Sequence, residues 1–140
     1  MTIPDQVRIG NRIKAGDVAV LKRAFSVSEV VEFARLSGDE NPIHVDEAYA
    51  LRSRFGKCIV HGLLTSSLIS TVLGTKLPGP GSIYLKQTLE FTAPVFIGEE
   101  VTCNVRVKQI RGHLIELETQ CSKPDGTVAV KGSALVLCEE

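Results

Sequence analysis

Asp39, Asn41 and His44 put a carboxylate, an amide and an imidazole on one short stretch, Leu36-Ser37-Gly38-Asp39-Glu40-Asn41-Pro42-Ile43-His44. A carboxylate beside an imidazole is a proton-transfer pair that can hold a water between them, and Pro42 stiffens the loop that presents both. The same residue types also suit a blander role. Asp39 and Asn41 fit Asx turns, and His44 fits a half-buried structural position.

The elements that must position this loop can be read from either side of it. Val18-Ala19-Val20-Leu21, followed by Arg23 and Phe25, reads as a first strand. Ser26 and Glu29 form a capping-box pattern, and Val27, Val30, Val31 and Ala34 recur at helical spacing. The helix they predict ends near Gly38, so Asp39 lies just past a helix C-terminus. Asp46 caps a second, short helix through Ala48, Tyr49 and Leu51, with Arg52 and Arg54 in its last turn and Gly56 as its stop.

Beyond His61-Gly62, the segment from Leu63 to Leu73 carries no charged residue, and its apolar positions cover most of a helical circumference. The expectation is a helix over 61–73 enclosed by protein, with a buried start whose free amides need acceptors. Pro78-Gly79-Pro80-Gly81 marks a turn, and the loop 74–82 is expected to shape the rim of a cavity. The period then changes to two. Ile83, Leu85, Leu89 and Phe91 alternate with Tyr84, Lys86, Thr88 and Glu90 as one strand with a covered face. Further strands follow from Val101 to Lys108, from Leu114 to Cys121 and from Thr127 to Leu137, turning at Arg111-Gly112-His113 and Pro124-Asp125-Gly126. Four long antiparallel strands and one uncharged helix can bury each other's apolar faces when the sheet wraps the helix. Such a sheet leaves an edge, and a two-fold partner pairing strand to strand would cover it, so a homodimer is expected.

The 140 residues suit one domain, read as a lead-in over 1–17 and a single domain over 18–140. Sixteen basic residues balance sixteen acidic ones, which leaves no bulk positive field for nucleic acid. No run approaches the length of a membrane span. Cys58, Cys103, Cys121 and Cys138 form no CxxC pair, and reduced buried thiols point to an intracellular compartment. The N-terminus is neither an apolar secretory segment nor an Arg-rich transit helix. Cytoplasm is therefore the expected location, with the mitochondrial matrix as the alternative for a trimmed form. The three histidines and Asp39 make no recognisable zinc spacing, and neither metal nor cofactor is expected. Lys57, Lys76, Lys86 and Arg54 are basic residues that could meet the phosphates of a ligand.

Gly38-Asp39-x-Asn41-Pro42-x-His44, followed by His61-Gly62 and an uncharged helix, resembles the signature of MaoC-like, or type 2, enoyl-CoA hydratases and dehydratases of the hotdog superfamily. His61-Gly62-Leu63-Leu64 through Ile69-Ser70, then Leu73 to Gly81, is similar to mitochondrial-type (3R)-hydroxyacyl-thioester dehydratases and short bacterial (R)-specific hydratases. The resemblance spans about residues 18 to 138. It implies an α+β hotdog fold, a curved antiparallel sheet around a central helix. It also implies reversible hydration of trans-2-enoyl thioesters of CoA or acyl-carrier protein to (3R)-3-hydroxyacyl thioesters.

By motif match, Asp39 and His44 become the catalytic dyad, with Asp39 as base and His44 as the group that orients water and moves the other proton. The Gly62 amide becomes the donor to the thioester carbonyl, and Asn41 and Ser70 become substrate-side support. His61 reads as a brace for the helix entry. An acyl-thioesterase sharing the fold and a non-catalytic acyl-binding subunit are the rival readings.

Overall fold

The uncharged segment forms α4 (Gly62–Thr75), which continues through Gly74 for two residues past its expected end. Leu68, Ile69, Val72 and Leu73 turn one side of it into the core, each at most 2 % exposed. Burying side chains of this size stabilises the fold by about 2 kcal/mol apiece as an upper estimate. The helix is not enclosed all round, because Leu63, Ser67, Ser70 and Gly74 form an exposed stripe along its opposite side.

The computed structural model describes residues 13–139. Around α4 it places β1 (Val18–Arg23), β2 (Ser82–Gln87), β3 (Glu90–Phe91), β4 (Val101–Arg111), β5 (Leu114–Ser122) and β6 (Val128–Cys138). They form one antiparallel sheet in the order β1-β4-β5-β6-β2, with β3 also paired to β6. α4 packs against β1, β2, β4, β5 and β6. This is the curved sheet around a helix that the period change at residue 82 implied. Val101, Cys103, Val105 and Val107 of β4 and Ile115, Leu117 and Cys121 of β5 supply the facing side of the core. Among the described residues, no helix is long and apolar enough to cross a membrane.

The expected strand over 83–91 is broken in two. Its register slips between Tyr84 and Lys86, and the chain crosses β6 where Gly132 lies under the main chain of Thr88. A side chain at 132 would overlap the Thr88 carbonyl oxygen, so the crossing depends on glycine. The expected covered face is covered only in part: Ile83 and Leu85 of the edge strand β2 and Phe91 of β3 are 47 %, 50 % and 54 % exposed, whereas Leu89 packs against the core.

The loop after α4 folds back on the helix end. Leu77, Pro78 and Gly79 are buried, and the Gly79 amide and Ser82 hydroxyl both bond the Leu73 carbonyl, closing the helix end. Of the expected lead-in over 1–17, residues 1–12 lie outside the described residues. Ile13 packs in the core, and the Gly16 amide bonds Val107 of β4. Cys103 and Cys121 face each other across β4 and β5 as buried thiols.

Candidate active site

α1 (Val27–Ser37) begins at Ser26 with the expected capping box: Ser26 Oγ accepts from the Glu29 amide and the Glu29 carboxylate accepts from the Ser26 amide. It ends at Gly38, whose positive φ of 82° lets its amide return to the Ala34 carbonyl at 2.9 Å. This left-handed cap turns the chain sharply and delivers Asp39. Ser37 Oγ accepts from the Asp39 amide, and Asp39 Oδ1 accepts from the Asn41 amide. Asn41 Oδ1 in turn accepts from the Ile43 amide at 3.3 Å. The Asx turns of the bland reading are therefore present, and they are what aims the carboxylate.

Asn41 and Pro42 also start a one-turn helix missed in the sequence, α2 (Pro42–Val45), with Asn41 as N-cap and Pro42 in its first turn. α2 carries His44 inward to 9 % exposure. The next helix, α3 (Glu47–Leu51), is capped by Asp46 as expected but ends at Arg52, so Arg54 lies beyond it.

Two cross-links tie the loop to the entry of α4. His44 Nδ1 donates to the Ile59 carbonyl at 2.7 Å, and His61 Nε2 donates to the Asp39 carbonyl at 2.9 Å. Carbonyl oxygens only accept, so His44 carries its proton on Nδ1 and leaves Nε2 a bare acceptor in the neutral ring. The His44 and His61 rings stack with centroids 3.8 Å apart, and Phe33 of α1 meets His61 edge-on. Burial holds the His44 pKa below the ordinary imidazole value. The bond to Ile59 and the charge of Asp39 oppose the shift, while His61 adds to it.

Asp39, His44, His61 and Gly62 line one cavity of about 510 Å³, together with Arg54, Phe55, Thr65, Phe91, Val95 and Val130. Gly62 is the first residue of α4, and the N-cap His61 makes no side-chain capping bond. The first amides of a helix have no partner within it, so the Gly62 N–H stands at the positive end of the helix dipole beside the dyad. A Cβ at 62 would lie 2.6 Å from Phe91 Cε1, so glycine is also what admits the ring to this wall.

The other expected site residues fall elsewhere. Asn41 spends its side-chain oxygen on the α2 cap and does not line the cavity. Ser70 faces a different groove, with Ser66, Ser67, Tyr84 and Leu85, because it lies on the stripe of α4 turned toward β2. Of the four basic residues, Arg54 reaches the cavity. Lys76 donates to the Val20 carbonyl, Lys57 sits over the Phe96 ring, and Lys86 lines the Ser70 groove.

Folding also gathers what the linear spacing kept apart: one ligand-type atom each of Asp39, His44 and His61 lies within 4.8 Å of the others. One nitrogen of each ring is already committed as a donor, which leaves one free nitrogen per ring for any ion. Thr65 and Phe91 are cavity residues the sequence did not mark as functional. The only signal for Thr65 was its place one turn after His61-Gly62.

The MaoC like domain family model matches residues 6–123. The 3-hydroxybutyryl-CoA dehydratase of Methylorubrum extorquens is 47 % identical over 126 residues, covering 89 % of this chain and 80 % of the relative. The (R)-specific enoyl-CoA hydratase of Aeromonas caviae is 45 % identical, covering 89 % of this chain and 94 % of the relative. The solved structure of the (R)-hydratase from A. caviae superposes with a TM-score of 0.91 at 43 % identity, covering 93 % of this chain and all of that one. A helix wrapped by an antiparallel sheet, a carboxylate and imidazole at its start, and a family match over most of the length agree: the chain belongs to the MaoC-like family of hotdog proteins.

Proposed function

We propose that the chain catalyses the reversible hydration of trans-2-enoyl thioesters to (3R)-3-hydroxyacyl thioesters, with Asp39, His44 and the Gly62 amide at the reacting atoms. One observation carries this reading: a carboxylate, a bare imidazole nitrogen and an uncapped helix-start amide line a single cavity. Its relatives bear the names of hydratases and dehydratases acting on CoA and acyl-carrier-protein thioesters. The chain is a hydro-lyase of that type.

The chemistry follows from what an enoyl thioester lacks. Water adds to C3 only when the thioester carbonyl draws electrons from the double bond, so the developing enolate oxygen needs a donor fixed in advance. The Gly62 N–H supplies it. Water sits between Asp39 and His44 Nε2. As its oxygen bonds C3, one proton passes to Nε2, the π electrons move onto the carbonyl oxygen, and the imidazolium returns that proton to C2 as the enolate collapses. Asp39 accepts the second water O–H and stabilises the imidazolium. This exchanges the roles expected from sequence, where Asp39 was the base. The support for the exchange is the Nδ1 bond to Ile59, which leaves Nε2 able to accept first.

Asn41 serves the site by holding α2, and Ser70 belongs to the surface shared with β2. Arg54 is the cavity residue suited to a carrier phosphate, a chemistry that CoA and the pantetheine arm of acyl-carrier protein have in common. A second copy pairs along β2. Residues 18–140 act as one domain, and the chain works in the cytoplasm. Support for that location is the cysteine pattern, four widely spaced residues with no CxxC pair, three of them buried in strands.

The test measures crotonyl-CoA at the enoyl absorbance alongside free-thiol release. Loss of absorbance without thiol is the expected result. Thiol release without hydration would install the thioesterase reading instead.

A further inference from the structure

Asp39, Glu40 and Asn41 are exposed and include no apolar side chain to anchor them in the core. The bonds they make are local. The Asp39 amide donates to Ser37 Oγ, the Glu40 amide to the Gly38 carbonyl and the Asn41 amide to Asp39 Oδ1. Asn41 in turn accepts from the Ile43 and His44 amides. All of these end within residues 37–44 and move with the loop, so they set its shape and not its place. Among the described residues, one hydrogen bond of this stretch leaves the loop, that from His61 Nε2 to the Asp39 carbonyl at 2.9 Å. His44 has separate anchors in Ile59, whose carbonyl takes the ring proton and whose amide donates to the Ile43 carbonyl at 3.2 Å.

His61 is itself firmly held. It is buried, its ring meets Phe33 edge-on with centroids 4.8 Å apart, and it stacks on His44 at 3.8 Å. Its carbonyl accepts the Thr65 amide at 3.0 Å, which seats it at the first turn of α4. The peptide unit joining His61 to Gly62 is planar, with C=O and N–H directed oppositely, so this bond turns the Gly62 N–H out of the helix start. One residue thus meets the carboxylate segment, the imidazole and the peptide whose N–H faces the thioester carbonyl.

We infer that His61 is a positioning residue for the hydration: its Nε2–H bond to the Asp39 carbonyl fixes where the carboxylate stands relative to the Gly62 amide and to the water held at His44. The role rests on the hydratase reading, whereas the bond does not. Without the bond Asp39 swings with its loop, and a displacement of about 1 Å in a reacting group costs up to about a hundredfold in rate. Binding of the thioester, which the cavity walls and the Gly62 amide supply, is little changed.

The test compares kcat and KM for crotonyl-CoA in wild type, His61→Phe and His61→Gln. Phenylalanine keeps a buried ring against His44 and removes the donor, and it is expected to lower kcat about thirtyfold with KM within about threefold. Glutamine gives up the ring but carries an amide N–H at the reach of Nε2, and it is expected to restore kcat to within about threefold of wild type. A role in packing alone predicts the reverse order. A phenylalanine variant with wild-type kcat, a glutamine variant no faster than it, or a loss carried by KM alone would overturn the role. His61→Leu takes the place of the phenylalanine variant if that one does not fold. Nitrogen NMR of wild type labelled at histidine reads the bond directly, with the His61 proton expected on Nε2, and a proton on Nδ1 alone would also overturn the role. A wild-type enzyme that leaves crotonyl-CoA unchanged would refute the hydratase reading, while the same spectrum would still report the bond.

Discussion

In the proposed reaction His44 is useful because it is neutral where a base is needed. Its place at the inner side of α2 removes water from the ring, and the bond from Nδ1 to Ile59 fixes which nitrogen meets substrate. Replacing either His44 or Asp39 with alanine is expected to lower kcat at least ~100-fold while the circular dichroism spectrum keeps its native shape. Activity within tenfold of wild type in both variants would remove them from the chemistry. The pH dependence has a definite sign. With the neutral ring as the proposed active form and burial lowering its folded pKa below the ordinary imidazole value of about 6.5, the acidic limb of the kcat profile should lie below that value. Folding is linked in the same direction. The unfolded chain binds this proton more readily, so the contribution of His44 to stability is complete above its unfolded pKa and is lost as pH falls through the folded value. An acidic limb above pH 7 would contradict the assignment of His44 as the base.

At the scale of elements, the site is a join between two helix ends. The left-handed cap at Gly38 ends α1 and releases Asp39, and the uncapped start of α4 presents Gly62 and His61 to it. α2 lies between them and exists because Asn41 and Pro42 start a helix within a loop. The sheet has an equally local requirement at Gly132, where β6 passes under Thr88. Gly132→Ala is expected to destabilise the protein by roughly 3 kcal/mol or to prevent folding, since the group it meets is main chain and cannot swing aside. Urea unfolding measures this, and a loss under about 0.5 kcal/mol would show that the crossing relaxes without difficulty.

Across the whole molecule, one side is unfinished in a single chain. Ile83, Tyr84 and Leu85 on the edge strand β2 and Leu63 on α4 are 41–62 % exposed, and the Ser70 groove runs between the two elements. An edge with unpaired amides beside exposed aliphatic side chains fits pairing with an identical strand about a two-fold axis. Light scattering at micromolar concentration is expected to give a dimer for the wild type and a shift toward monomer for Leu85→Lys. A wild-type monomer at that concentration would reject the interface.

The sequence alone determined the order of the longer elements, though not the one-turn α2 or the split of β2 from β3, and the reason is local chemistry. The Ser26–Glu29 capping box, the stop at Gly38, the uncharged helix after His61-Gly62 and the alternation from Val101 onward each act through residues within one or two turns or strands of themselves. It also singled out Asp39 and His44 as a candidate pair, because they lie on one short loop. Tertiary structure alone decided the stacking of His61 on His44, the commitment of His44 Nδ1 to Ile59, the division of β2 from β3 at Gly132 and the separation of Ser70 from the catalytic cavity. Each of these joins residues far apart in the chain or depends on which face of an element meets which neighbour. A short motif carries no record of that, because the partner's position is set by how the sheet curves around α4.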